Sequence, residues 1–307
     1  EFGEIECGSS YFYDVAIVDE NNIWAVGSIK SKDSLGNCHT QTYNAVHWDG
    51  QSWKLKKITV LYKGNLITPI LYGVFAFSPT DIWFSSGVPV KGNGNSWTQY
   101  HLFDMGVLSQ QDGYLTKIWG KSSNDIYFAG TLGTIVHWNG SNWTKIESGT
   151  ALNINDIYGD GDDILCVAAN VLLSKDLEIL KISNLKAEKL PKEMMNTYMS
   201  GIWYDGYRKY YVAGGGVWKS LKNDIFWKIE PRPKAYYMNG IRGTGKNRIV
   251  SVGALGEVLY NNGVNWKSLD SETLLNGGKY FSVDVKGSII AAVGWESDRA
   301  VIMVGKK

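Results

Sequence analysis

Four histidines, one acidic turn and five arginines are the groups in this 307-residue chain whose types could do chemistry. His47 and His137 occupy the same place in two near-duplicate strings, VHWDGQSW at 46–53 and VHWNGSNW at 136–143, and Tyr260 replaces them in LYNNGVNW at 259–266. A group repeated in this way points to packing, and His39 and His101 are not spaced as a ligand pair. The turn Asp160-Gly161-Asp162-Asp163 offers carboxylates to Ca²⁺ but lacks the remaining oxygen ligands of such a loop, so it reads as a solvated turn. No Gly-rich phosphate loop, Ser-His-Asp order or nucleophile elbow is readable. The arginines, at 208, 232, 242, 248 and 299, are too few to build several bidentate grips on carboxylate or phosphate. A glycosidase pair of carboxylates drawn from distant parts of the chain is not excluded by spacing. The expectation is no catalytic constellation, no metal and no cofactor.

The totals narrow the classes further. Thirty-one basic and 30 acidic residues leave a net charge of +1, without the footprint of a nucleic-acid or anionic-membrane binder. No apolar run approaches the roughly 18 residues of a membrane-spanning helix. Hydrophobic residues make up 44%, enough for a sizeable core, and 13 Trp, 18 Tyr and 35 Gly suit many short strands joined by tight turns. Cys166, inside the apolar run ILCVAA, reads as a buried thiol. Cys7 and Cys38 lie where a disulfide can form, and the sequence leaves their pairing open. The chain starts at Glu1 rather than Met, which fits a trimmed or mature form.

The elements that must position any site come from one stretch, Leu115 to Glu147. It reads as four strands: 115–119, 125–129, 135–138 and 142–146, the last two joined by Asn139-Gly140, a pair suited to a tight hairpin. Its second-strand signature recurs as NNIWAVG at 21–27, TDIWFSSG at 80–87, NDIYFAG at 124–130, DDILCVAA at 162–169, RKYYVAG at 208–214, NRIVSVG at 247–253 and SIIAAVG at 288–294. A four-stranded unit repeating about every 40 residues is a propeller blade. The chain is therefore expected to be all-β, a single domain over 1–307 forming a seven-bladed β-propeller of four-stranded antiparallel blades. The blades fall near 12–58, 72–110, 115–148, 154–184, 199–231, 237–270 and 281–307. The last offers only three strands, so an N-terminal strand at 3–7 is expected to close the ring. Trp53, Trp143, Trp227 and Trp266 share one repeated place and read as packing between blades.

The pattern Ile-Trp-Gly, Asn-Asp-Ile-Tyr, Ala-Gly, His-Trp-Asn-Gly and Trp-Thr between Ile118 and Thr144 resembles the repeats of secreted bacterial propellers, similar to the BNR-like and photosystem II assembly factor-like families. The resemblance spans nearly the whole chain and is strongest in blades three and six. It implies the fold and leaves function open. The sialidase Asp-box is absent; its nearest string, Ser31 to Gly36, misplaces the Gly and lacks the Trp. The Arg-rich patch implied by the assembly-factor resemblance has no counterpart.

Loops that the fold does not require are where propellers place function. Long segments at 28–44, 58–71, 87–97, 105–113 and 183–198 all map to the face carrying the second-to-third-strand turns, four of them around blades one and two. Tyr43, Tyr62, Tyr72, Lys91, Trp97 and Tyr100 are the candidate ligand-binding residues of that face, a platform for sugar rings or for a partner's loop. A second candidate is the central channel, with Trp119, Tyr158, Trp203, Arg242 and Lys286 at the places that follow the first-strand Ile or Val. Aromatics on one side and cations on the other would suit a carboxylate ligand. The leading expectation is a secreted or periplasmic, non-enzymatic binding propeller, monomeric and found in the periplasm, at the cell surface or outside the cell. It would recognise a glycan or a protein partner through the loop-rich face near blades one and two, with no nucleic-acid partner and no membrane span. The alternatives are a carbohydrate-active hydrolase or lyase working at the channel mouth, and an assembly scaffold of an envelope complex.

Overall fold

Seven antiparallel sheets follow one another along the chain in the computed structural model, which describes residues 1–39, 42–160, 163–170, 176–192, 195, 197–207, 209–221, 227–272, 275 and 277–306. The acidic turn at 160–163 lies partly outside these residues, and so does Arg208. Six sheets have four strands and the seventh has three, Lys279–Lys286, Ile289–Glu296 and Arg299–Lys306. The innermost strands are Tyr11–Asp19, Gly73–Ser78, Leu115–Ser122, Ile154–Asp160, Met199–Tyr204, Met238–Gly245 and Lys279–Lys286. This is the seven-bladed propeller expected from the repeats.

Seven buried clusters hold the ring, each joining two neighbouring blades. Second strands such as Asp125–Gly130 are buried almost throughout because both faces of a blade meet another blade. The Gly that ends this strand has a steric reason. A Cβ on Gly27, Gly130, Gly214, Gly253 or Gly294 would lie between 1.8 and 2.1 Å from a backbone oxygen at the start of the inner strand of the same blade.

The ring closes at the N-terminus. Phe2 and Ala300 exchange both backbone hydrogen bonds, 2.8 and 2.9 Å, at the outer edge of blade seven. The Phe2 ring sits 5.5 Å from Phe12 and 6.4 Å from Trp53 in the cluster joining blades seven and one. Pairing is made by Phe2 and not along 3–7, because Ile5–Cys7 winds into a 3-10 turn. Cys7 is bonded to Cys38, tying that turn to the long loop of blade one.

Three segments expected as loops contain strands. Lys186–Leu190 is the fourth strand of blade four, entered through Asn184 and Leu185, both at positive φ. Pro89–Gly92 is the third strand of blade two, with Pro as its first residue, where a missing N–H is tolerated. The 58–71 segment folds its own hairpin, Val60–Tyr62 with Asn65–Ile67.

Candidate functional site

Each inner strand delivers side chains to the channel at fixed places, and a β-bulge sets which ones. Near the start of the inner strand, the pairing of first and second strands skips a residue in six blades: Tyr13, Thr116, Asn155, Ser200, Asn239 and Phe281. A bulge adds a residue and re-aims its side chain, a device found beside binding sites. All six, with Tyr72 from blade two, line one cavity of about 300 Å³, which Thr131 and Asn153 place at the loop-rich end of the channel.

This mouth is graded around its rim. Tyr13 lies 5.5 Å from Tyr72 and 6.4 Å from Phe281, and Tyr11 continues the aromatic patch toward Trp295. Across the ring, Tyr198 and Tyr237 are 5.8 Å apart. Polar groups occupy the places between them. Asn155 donates to the carbonyls of Ala169 and Met199, Asn239 to that of Tyr280, and Ser200 to that of Met238, so these side chains brace adjacent blades while facing the opening. Among the described residues Lys117 is the cation of the lining, and none of them brings a carboxylate to it. Burial raises the Tyr13 hydroxyl above its ordinary range, with Tyr72 and Tyr11 adding to the effect; burial likewise raises Tyr198 and Tyr237. These phenols stay neutral.

Deeper, toward the opposite end, a second cavity of about 410 Å³ is walled by Phe75, Trp119, Tyr158 and Trp203 from four consecutive blades, then Arg242 and Asp284. Arg242 grips Asp156 with both terminal nitrogens, at 2.8 and 2.9 Å, and Asp156 also accepts the Ile157 and Ile202 N–H groups. Burial opposes the Arg242 charge, but the Asp156 carboxylate outweighs it and raises the guanidinium pKa above its usual value. Asp14 accepts from Val74 N and Ser282 Oγ, and Asp284 from Ile17 N and Val285 N. Three carboxylates thus bond across from one blade to the next.

Trp119, Tyr158, Trp203, Arg242 and Lys286 all line this cavity. The place matching Arg242 in blade seven belongs to Asp284, however, with Lys286 two residues further on and exposed. The string Val283-Asp284-Val285-Lys286 offers two equivalent phases, and pairing of Ser282 with Val293 selects the first. The expected balance of aromatics against cations is therefore reversed in sign.

The six loop-face candidates are not gathered into a platform. Trp97 pairs with Gly92 as Trp143 does with Trp138 and Trp53 with Trp48, so it is the blade-two member of the repeated tryptophan set. It packs 5.0 Å from Phe84 and 5.8 Å from Trp24. Tyr100 is wedged among Trp83, Trp138 and Trp143, and the Lys91 ammonium lies over Trp83. Tyr62 stacks on His101 at 4.3 Å, and Tyr43 lies beneath Lys57. Tyr72 alone of the six lines the mouth. The repeated histidines are packing groups: His47 bonds Asn22 and stacks on Trp24, and His137 bonds Asp125 beside Tyr127. The bulge ring was missed, yet its residues stand two places before the inner Val or Ile in every blade, a signal that aligning the first strands would have exposed.

No family model matches the chain, and no curated protein matches it in sequence. Solved structures do match in fold. YCF48 bound to D1 peptide superposes with a TM-score of 0.69 at 14% identity, covering 94% of this chain and 91% of that one. YCF48 from Cyanidioschyzon merolae gives 0.68 at 13%, covering 94% of each chain. The WD40 propeller domain of Doa1 gives 0.67 at 12%, covering 98% and 94%. The extracellular domain of a putative hybrid two-component system from B. thetaiotaomicron gives 0.67 at 12%, covering 99% of this chain and 38% of that one. At these identities the likeness is one of fold.

Proposed function

We propose that this chain is a non-enzymatic binding propeller that receives an extended segment of a protein partner at the bulge-lined mouth. The observation that carries this reading is the mouth itself: bulge residues from six blades and Tyr72 converge on one opening, aromatic on the side of blades seven, one and two and amide-lined opposite. Tyrosine and phenylalanine faces provide apolar contact area at low entropic cost, and side-chain amides read a peptide backbone. YCF48, which shares the fold, has been seen with a peptide bound. A scaffold role differs from this reading only in what the partner belongs to. Binding is favoured over turnover because Arg242, the cation on which an acid-handling site would draw, is already held by Asp156. An extracellular, cell-surface or periplasmic setting is supported by the Cys7–Cys38 bond, since disulfides persist in oxidising compartments.

The test is a peptide array and a glycan array probed in parallel with the purified chain and with a Tyr13→Ala/Tyr72→Ala variant. Saturable peptide binding lost in the variant supports the proposal. Peptide binding indifferent to both substitutions, or binding confined to glycans, overturns it.

A further inference from the structure

The charges of the deeper cavity do not balance. Asp14 and Asp284 line it together with Arg242, but Asp156, from outside the lining, already holds that guanidinium through both of its oxygens. Asp14 and Asp284 have no basic side chain at ion-pair distance among the described residues. Each accepts two hydrogen bonds, whereas a carboxylate has about four acceptor positions. Their partners, Ile17 N, Val74 N, Val285 N and Ser282 Oγ, are dipoles that reduce the cost of burial without supplying positive charge. Lys286 is the remaining cation of the lining, and it is exposed at the rim. Burial raises the Asp284 carboxyl, against the pull of the Ile17 N–H and of Arg242.

The opposite wall is aromatic. Phe75, Trp119, Tyr158 and Trp203 come from blades two to five at the same place in the inner strand, with Trp119 lying 6.4 Å and Trp203 6.5 Å from Tyr158. The Arg242 guanidinium already rests 5.5 Å from the Tyr158 ring centre, so this wall accommodates a cation. A volume of about 410 Å³ admits a small molecule.

We propose that this cavity, at the far end of the channel from the bulge-lined mouth, binds a small organic ammonium ion, with Asp284 and Asp14 meeting its charge and the four aromatic rings its alkyl groups. The site is separate from the peptide-binding proposal and stands or falls independently of it.

The experiment is a titration of the purified chain with tetramethylammonium chloride, following quenching of tryptophan fluorescence, for which Trp119 and Trp203 are the reporters, with calorimetry alongside. Sodium acetate and sodium chloride at matched ionic strength are the controls. Saturable binding of tetramethylammonium is expected, with no response to acetate. Asp284→Asn keeps an acceptor for the Ile17 N–H and should weaken binding by about tenfold or more. Lys286→Ala, which removes a competing cation, should leave binding intact or tighten it. Saturation by acetate, no saturation by tetramethylammonium, or equal affinity in Asp284→Asn would each overturn the assignment. Melting curves of both variants establish that they are folded before they are titrated.

Discussion

The Asp156–Arg242 pair shows how one residue can hold a channel wall. Its carboxylate links blades four, five and six through a backbone N–H and a two-pronged guanidinium, and its side chain is only 7% exposed. Arg242→Leu would strand that carboxylate and should cost about 3 kcal/mol in urea unfolding at pH 7, near the lower end for a broken buried pair because the Arg242 side chain remains 23% exposed. The double variant with Asp156→Asn should recover part of the loss, and failure to recover any would mean that the pair is not coupled. Asp284 supplies a pH signature. Its folded pKa is raised above 3.8, so its favourable contribution is complete below about pH 4 and is lost as pH climbs through the folded value. Wild-type stability should therefore fall over that window relative to Asp284→Asn, and parallel pH profiles for the two proteins would contradict the assignment.

Single elements set the fit within a blade and the closure of the ring. Gly130 ends a second strand so close to Tyr114 that a Cβ would sit 1.8 Å from its carbonyl oxygen. Gly130→Ala should destabilise by about 2–3 kcal/mol, the usual cost of overpacking a core that cannot yield. An unchanged denaturation midpoint would show that the strand can shift. The N-terminal segment is held by the Phe2–Ala300 pair and the Cys7–Cys38 bond, with Glu4 N–H donating to the Lys30 carbonyl and Glu1 and Glu6 paired to Arg299 and Lys32 beside them. Removing residues 1–8 takes away both the Phe2–Ala300 pair and the Cys7–Cys38 bond, whereas Cys7→Ser removes the bond alone. With the cysteines 31 positions apart in sequence, the bond should contribute roughly 3–4 kcal/mol by restricting the unfolded chain. The truncated protein should melt at a lower temperature than Cys7→Ser, by about 5 °C, because it also loses the packing of Phe2 on Phe12 and Trp53. Equal melting temperatures would deny Phe2 a role in closure.

The whole molecule is a ring in which each cluster is shared by two blades, so no blade keeps its core if a neighbour is lost. Unfolding should accordingly be one transition, with tryptophan fluorescence and circular dichroism curves that coincide; separate midpoints would mean that part of the ring opens alone. The channel is polarised along its length. The loop-rich end carries tyrosines, amides and Lys117, with no carboxylate among the described residues, and at the other end aromatics face Asp14, Asp284 and the Asp156–Arg242 pair. Two chemically different openings on one axis allow two different ligands.

The number of blades, their order and the packing role of Trp53, Trp143, Trp227 and Trp266 were legible in the sequence, because repetition at a fixed interval records a geometry that must be satisfied blade by blade. The same logic read His47 and His137 as packing groups, and their rings do lie against Trp24 and Tyr127. Trp97 was misread because the short strand Pro89–Gly92 hides behind its proline, so that the fifth tryptophan of the set looked like part of a loop. Lys286 was placed where Asp284 stands because alternation alone cannot choose between two registers two residues apart. Only the tertiary structure could decide these points. The β-bulges shift the count in six of the inner strands, and the channel brings residues as distant in sequence as Asp14 and Asp284 to a common wall. Repetition specifies the blade, whereas the side chains facing the axis differ from blade to blade, and their combined chemistry exists only once the ring has closed.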